Sequence, residues 1–101
     1  MIRILPEAEA EAADAVQWYG LQRTGLGRAF KVQFRRALET VAHNPSVFPR
    51  DPAYIGSEVI RRCQFRRFSY HIVFSAMDDE ILVIAVSHDR RKPAYWTDRL
   101  Q

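Results

Sequence analysis

Six consecutive apolar residues, Ile81-Leu82-Val83-Ile84-Ala85-Val86, constrain the fold of this chain more than any other stretch. Alternate side chains of a strand point to opposite faces, so a run apolar at every position is apolar on both. Such a strand belongs at the centre of a sheet, with helices over one side. The preceding sequence supplies those elements in order. Ile2–Leu5 is a short β-type segment ended by Pro6, whose missing N–H suits the first turn of a helix. Glu7, Glu9, Glu11 and Asp14 load the first half of that helix with negative charge, where the macrodipole favours it. Ala8, Ala12, Ala15, Val16 and Tyr19 recur at helical spacing and make one small-residue face. Gly20 to Gly25 reads as a turn. A second helix is predicted from about Leu26 to His43, with Leu26, Phe30, Phe34, Ala37, Leu38 and Val41 on one face.

Asn44-Pro45 stops the second helix, because the residue before proline is pushed out of the α region. Pro45, Pro49, Pro52 and Gly56 then mark a loop through about Ser57. In Val59–Phe65, Arg61, Cys63 and Phe65 alternate with Ile60, Arg62 and Gln64. In the next strand Phe68, Tyr70, Ile72 and Phe74 share one face, and Ser69, His71, Val73 and Ser75 the other. Met77-Asp78-Asp79 has the composition of a hairpin turn. The order β-α-α-β-β-β predicts an α+β fold: an N-terminal helical hairpin packed on one face of a small twisted antiparallel sheet. Ile2–Leu5 is expected to add a strand, since its apolar residues otherwise have nowhere to go.

At 101 residues there is room for one domain, expected over 1–101. Hydrophobic content of 48% with 12% aromatics argues for a packed core and against disorder. No apolar run approaches the ~20 residues that span a bilayer. The first residues meet acidic side chains at once and lack the apolar stretch of a signal peptide. Cys63 is alone, so no internal disulfide can form; a cytoplasmic protein without a membrane partner is the expectation. Cys63 itself is expected to be a small buried hydrophobe. Net charge is +3, and it is unevenly placed. Residues 1–58 hold seven basic and seven acidic side chains, whereas residues 59–101 hold eight basic and five acidic. That clustering suits an acidic or nucleic-acid partner.

The chemistry-bearing residues lie in that second part. Ser87-His88-Asp89-Arg90-Arg91-Lys92-Pro93-Ala94-Tyr95-Trp96 follows the apolar strand directly. Cations contact phosphate or carboxylate, histidine moves protons near neutral pH, and aromatic faces stack bases or anchor a partner. Ile60-Arg61-Arg62 and Phe65-Arg66-Arg67-Phe68-Ser69-Tyr70-His71 add further cations around aromatics. One of Arg61 and Arg62 should face away from the core, because burying an unpaired guanidinium is costly. His43 reads as a dipole partner at a helix end. His71 and His88 have no cysteine or second carboxylate at ligand spacing, so no metal and no cofactor are expected. Trp18 beside Tyr19 packs the hairpin, or, if exposed, suits a partner contact.

Together these pieces resemble the ParE/RelE superfamily, the toxins and plasmid stabilisation proteins of type II toxin–antitoxin pairs. The likeness covers nearly the whole chain. Pro6–Tyr19 ending in Trp18-Tyr19 looks like the family's opening helix, and Gly25-Leu26-Gly27-Arg28-Ala29-Phe30 like the start of its second. Asn44-Pro45 with Phe48-Pro49 resembles the post-helix loop; Ile60-Arg61-Arg62 and Phe68–Phe74 resemble the paired strands. His88, Arg90-Arg91, Pro93, Tyr95-Trp96 and Arg99 complete the pattern.

The resemblance implies a RelE/ParE-like fold and a toxin neutralised by a cognate antitoxin that wraps the basic sheet and helices. The residues expected to bind partners are Arg61, Arg62, Arg66, Arg67, Arg90, Arg91, Tyr95 and Trp96. ParE-like members act on DNA gyrase; RelE-like members cleave mRNA in the ribosome, which needs proton-transfer groups and cations around the scissile phosphate. An endoribonuclease here would use Arg61, His71, His88, Arg90 and Tyr95. Two departures favour the ParE-like branch. His71 follows Tyr70 where RelE-like toxins commonly have Arg, and Asp89 stands between His88 and Arg90, where a carboxylate would repel phosphate unless Arg90 paired it. A gyrase inhibitor is therefore the expected function, with the mRNA endoribonuclease and a non-toxic nucleic-acid-binding module as alternatives.

Overall fold

The computed structural model describes residues 1–100. Strand β1 (Ile2–Ile4) leads into helix α1 (Pro6–Gln22), and α2 (Leu26–His43) returns against it. Strands β2 (Arg61–Gln64), β3 (Tyr70–Met77) and β4 (Glu80–His88) follow, and a short 3-10 turn closes the chain at Tyr95–Leu100. The expected α+β order is present. Helix α1 runs through Gly20 and ends at Gln22, three residues beyond Tyr19. The two helices approach closely where Gly27 faces Val16: a Cβ at Gly27 would sit 2.6 Å from the Val16 carbonyl oxygen. Gly25, with φ 88°, makes the left-handed step into α2.

The strands form one sheet in the order β1-β4-β3-β2. Here the expectation of an antiparallel sheet is corrected: β1 pairs parallel to β4, with Ile2 opposite Ile81 and Ile4 opposite Val83. The helical hairpin separates β1 from the hairpins and returns the chain so that β1 and β4 run in the same direction. Apolar alternation carries no information on strand direction. Strand β4 is central, as its composition requires. At the β3–β4 turn both Asp78 and Asp79 are left-handed (φ 51° and 65°), as a two-residue hairpin demands.

Pairing shifts between Val73, opposite Ala85, and Phe74, opposite Val83, leaving Ile84 as the extra residue of a β-bulge. The bulge lets β4 serve two cores. Val83 and Val86 pack toward the helices with Ala8, Ala12, Phe30, Ile72 and Phe74. Ile84 and Ala85 pack on the far face with Ile60, Val73 and Trp96. Trp96, expected to present its ring to a partner, is instead 2% exposed. It covers the sheet face that the helices leave bare, against Tyr54 (ring centroids 5.6 Å apart). A sheet with only one face buried would leave Val73 and Ile84 in water, so the terminal turn supplies the second layer.

Candidate functional site

Two connections meet at one end of the sheet. Tyr70, which opens β3, lies opposite His88, which closes β4, and the Asp89 N–H donates to the Ser69 carbonyl at 2.8 Å. The β2–β3 connection and the segment after β4 are thereby held side by side. Arg66, Arg67, Arg90, Arg91 and Lys92 are all exposed at this end. Trp18, on the last turns of α1, is 56% exposed. It borders a cavity of about 410 Å³ with Tyr19, Tyr70, His88 and Arg91. Exposed cations around an exposed indole make a surface suited to an acidic, partly aromatic or apolar partner.

Arg61 and Arg62 stand apart from that cluster. Arg61 lies on the helix side of β2, opposite Phe74, and its Nη1 donates to the Phe48 carbonyl at 2.6 Å. That bond ties the 44–50 loop to the sheet. Arg62 points to the other face, as one of the pair was required to do. Its Nη2 lies 3.1 Å from His71 Nδ1.

His71 is buried, and its Nδ1 lies 2.8 Å from Asp89 Oδ1. Gln64 Nε2 donates to the other Asp89 oxygen at 2.9 Å and to the Tyr70 carbonyl at 2.8 Å. An ionised Asp89 accepts the Nδ1–H, so Arg62 acts on the ring as a nearby charge rather than as a donor. Asp89 is therefore held by His71 and Gln64, not by Arg90. The Arg90 N–H instead donates to His88 Nδ1 at 3.1 Å, in a tight turn that leaves the guanidinium outward.

The residue that sequence reasoning missed is Glu11. Strand β1 ends at Ile4, and the Leu5 N–H makes a last bond to the Val83 carbonyl, so the β4 edge beyond it needs other partners. Glu11 Oε1 accepts the Val86 N–H at 3.0 Å, and Arg99 Nη1 donates to the bulged Ile84 carbonyl at 3.0 Å. Arg99 also grips both Glu11 oxygens, at 2.8 and 3.0 Å. The Tyr95 hydroxyl and Arg91 Nη1 donate to Glu11 Oε2. Arg91 additionally stacks over the Tyr95 ring, 3.9 Å from its centroid. Tyr95 is thus half-buried in an internal network, and burial beside the Glu11 carboxylate pushes its hydroxyl pKa up to about 12. One signal was available: Glu11 lies in helical phase with Ala8 and Ala15, on the small-residue face rather than the solvated one.

The five residues required for an endoribonuclease do not converge. Tyr70 and His88 are paired on the helix side, whereas His71 and Ser87 are paired on the far face, so the two histidines lie on opposite sides of the sheet. Arg61 is bonded to Phe48 at the other end of β2, and Tyr95 is committed to Glu11. No group of His, Cys, Asp and Glu among the described residues could hold a metal ion. Among the described residues no helix is long and apolar enough to cross a membrane.

Two groups set the acid response. Burial lowers the His71 pKa below its ordinary 6.5, with the Asp89 hydrogen bond offsetting part of the shift. Burial alone would raise Glu11, but bonds from Arg99, Tyr95 and the Val86 N–H outweigh it and hold the carboxyl below 4.5. Both groups bind protons more readily unfolded than folded, so each contribution is complete above the unfolded pKa and is lost as pH falls through the folded one. Unfolding titrations should show stability declining below pH 6.5 and again below pH 4.5. His71→Gln should remove the first decline and leave the second. A decline that survives this replacement would assign it to another group.

Comparison with known proteins adds three findings. The family model described as "ParE toxin of type II toxin-antitoxin system, parDE" matches residues 2–93. A solved structure titled "Chromosomal ParDE TA system from P. aeruginosa" superposes with a TM-score of 0.67 at 13% identity, over 86% of this chain and 92% of that one. No curated protein sequence matches.

Proposed function

This chain belongs to the ParE toxin family of type II toxin–antitoxin systems, and on that premise we propose a cytoplasmic toxin that a cognate antitoxin neutralises and that inhibits DNA gyrase by protein–protein contact. The observation that carries the gyrase reading is the fate of the proton-transfer candidates. His71 faces a fixed carboxylate, Asp89, on the far side of the sheet from His88. General acid–base cleavage of RNA needs both groups and a cation around one phosphate. A gyrase inhibitor needs none of them converged.

The antitoxin reading rests on the basic end of the sheet. Exposed cations at an interface rim steer association, while buried aromatics hold the complex. Arg91 is partly engaged by Glu11, so Arg67 and Arg90 are the cleaner sites to change. Reversing both in Arg67→Glu with Arg90→Glu should slow antitoxin association roughly tenfold at low salt and flatten its salt dependence. Stopped-flow binding to the cognate antitoxin measures it. Unchanged association kinetics would move the antitoxin to another surface.

A further inference from the structure

Helix α2 carries on its outer side a stripe of cations that the fold does not use. Arg28, Lys31 and Arg35 are exposed and recur at i, i+3 and i+7, the spacing of one helix face, away from the buried Phe30, Ala37 and Val41. The ion pairs among the described residues all involve Glu11 or Asp89, so none neutralises this stripe. Glu39, the one carboxylate of α2, stands a turn beyond Arg35 and is not paired with it.

Placed this way the cations work against their own helix. Lys31 is one turn from both Arg28 and Arg35, and like charges at those spacings repel. Arg28 also lies in the first turn, where the macrodipole favours anions; helix α1, by contrast, opens on Glu7 and Glu9 and carries no cation. A ligand of opposite charge would relieve that repulsion. Val32 is the one large apolar side chain exposed on α2, at 37%. The stripe therefore offers neither the aromatic anchors of a protein interface nor the apolar face of a membrane-surface helix. A phosphate backbone needs neither. At 1.5 Å per residue, Arg28 to Arg35 covers about 10 Å, which matches roughly three phosphates of one strand at ~3.4 Å of duplex axis each.

We propose that the α2 stripe binds the phosphate backbone of duplex DNA, with Arg28, Lys31 and Arg35 each contacting one phosphate and none reading sequence. Duplex DNA as the nucleic acid rests on the reading of this chain as a gyrase inhibitor. A toxin docked on gyrase is held beside that enzyme's DNA, and the backbone contact adds to the protein–protein contact.

Fluorescence anisotropy of a labelled short duplex, titrated with the full chain over about 25 to 200 mM NaCl, tests the proposal. The logarithm of the binding constant should fall against the logarithm of salt with a slope of about −3, as three neutralised phosphates require. The triple variant Arg28→Gln, Lys31→Gln, Arg35→Gln should bind at least tenfold more weakly at the low-salt end with a slope near zero. It should melt at or above the parent's temperature, because the like-charge repulsion is gone. Arg3→Gln with Arg50→Gln, which removes two exposed cations elsewhere, should leave the slope within about one unit of the parent. No binding by the parent at low salt, or an equal loss in the Arg3 and Arg50 variant, would overturn the stripe. Tighter binding of a duplex RNA of the same sequence would assign it to RNA and overturn the DNA proposal. A triple variant that binds the cognate antitoxin weakly but DNA normally would assign the stripe to the antitoxin and likewise overturn it. DNA binding through the stripe by a parent that leaves gyrase active would support the stripe and remove the gyrase reading alone.

Discussion

Trp96→Ala should destabilise the fold by about 3–5 kcal/mol, the usual cost of truncating a large buried aromatic. The indole is 2% exposed and packs with Ile60, Val73, Ile84 and Ala85, and it is the largest side chain buried in that cluster. Its loss opens a cavity and wets the far side of both central strands. For a chain this size the loss corresponds to a melting temperature lower by roughly 15–30 °C. Thermal unfolding followed by circular dichroism measures it. A variant that melts as the parent but binds its antitoxin weakly would return Trp96 to the partner surface.

Glu11→Ala should cost about 3–5 kcal/mol, because it strands a charge rather than merely deleting a contact. Arg99, with its side chain 15% exposed, would keep only the Ile84 carbonyl, and the Val86 N–H would lose its acceptor. Replacing both members in Glu11→Leu with Arg99→Leu should recover part of the loss, since no uncompensated guanidinium is left behind. A double-mutant cycle in urea tests this. Strictly additive costs would mean that Glu11 and Arg99 stabilise the β4 edge independently.

Much of this fold was legible because its signals are local. Helix α2 spans Leu26–His43 as the spacing of Phe30, Ala37 and Val41 predicts, and Asn44-Pro45 ends it. The central place of β4 follows from apolar residues on both faces. What was not legible depends on contacts distant in sequence. The parallel pairing of β1 leaves no periodic trace. Trp96 beside Tyr95 looks like a binding dipeptide until the sheet's far face is seen to need a cover. Glu11 lies 75 residues from Val86, so its role as a substitute for the missing end of β1 cannot be read from spacing. At the candidate site, the unusual carboxylate at Asp89 was visible, but its partners were not, and Arg90 was the only pairing that adjacency suggested. Arg90 is its neighbour in sequence, whereas His71 and Gln64 are its neighbours across the strands.

Supercoiling of relaxed plasmid by purified DNA gyrase, with this chain added in stoichiometric excess and then with its antitoxin, tests the central claim most directly. The account predicts loss of supercoiling, accumulation of gyrase-linked cleaved DNA, and recovery when the antitoxin is present. Undiminished supercoiling by a folded, antitoxin-binding toxin would contradict it.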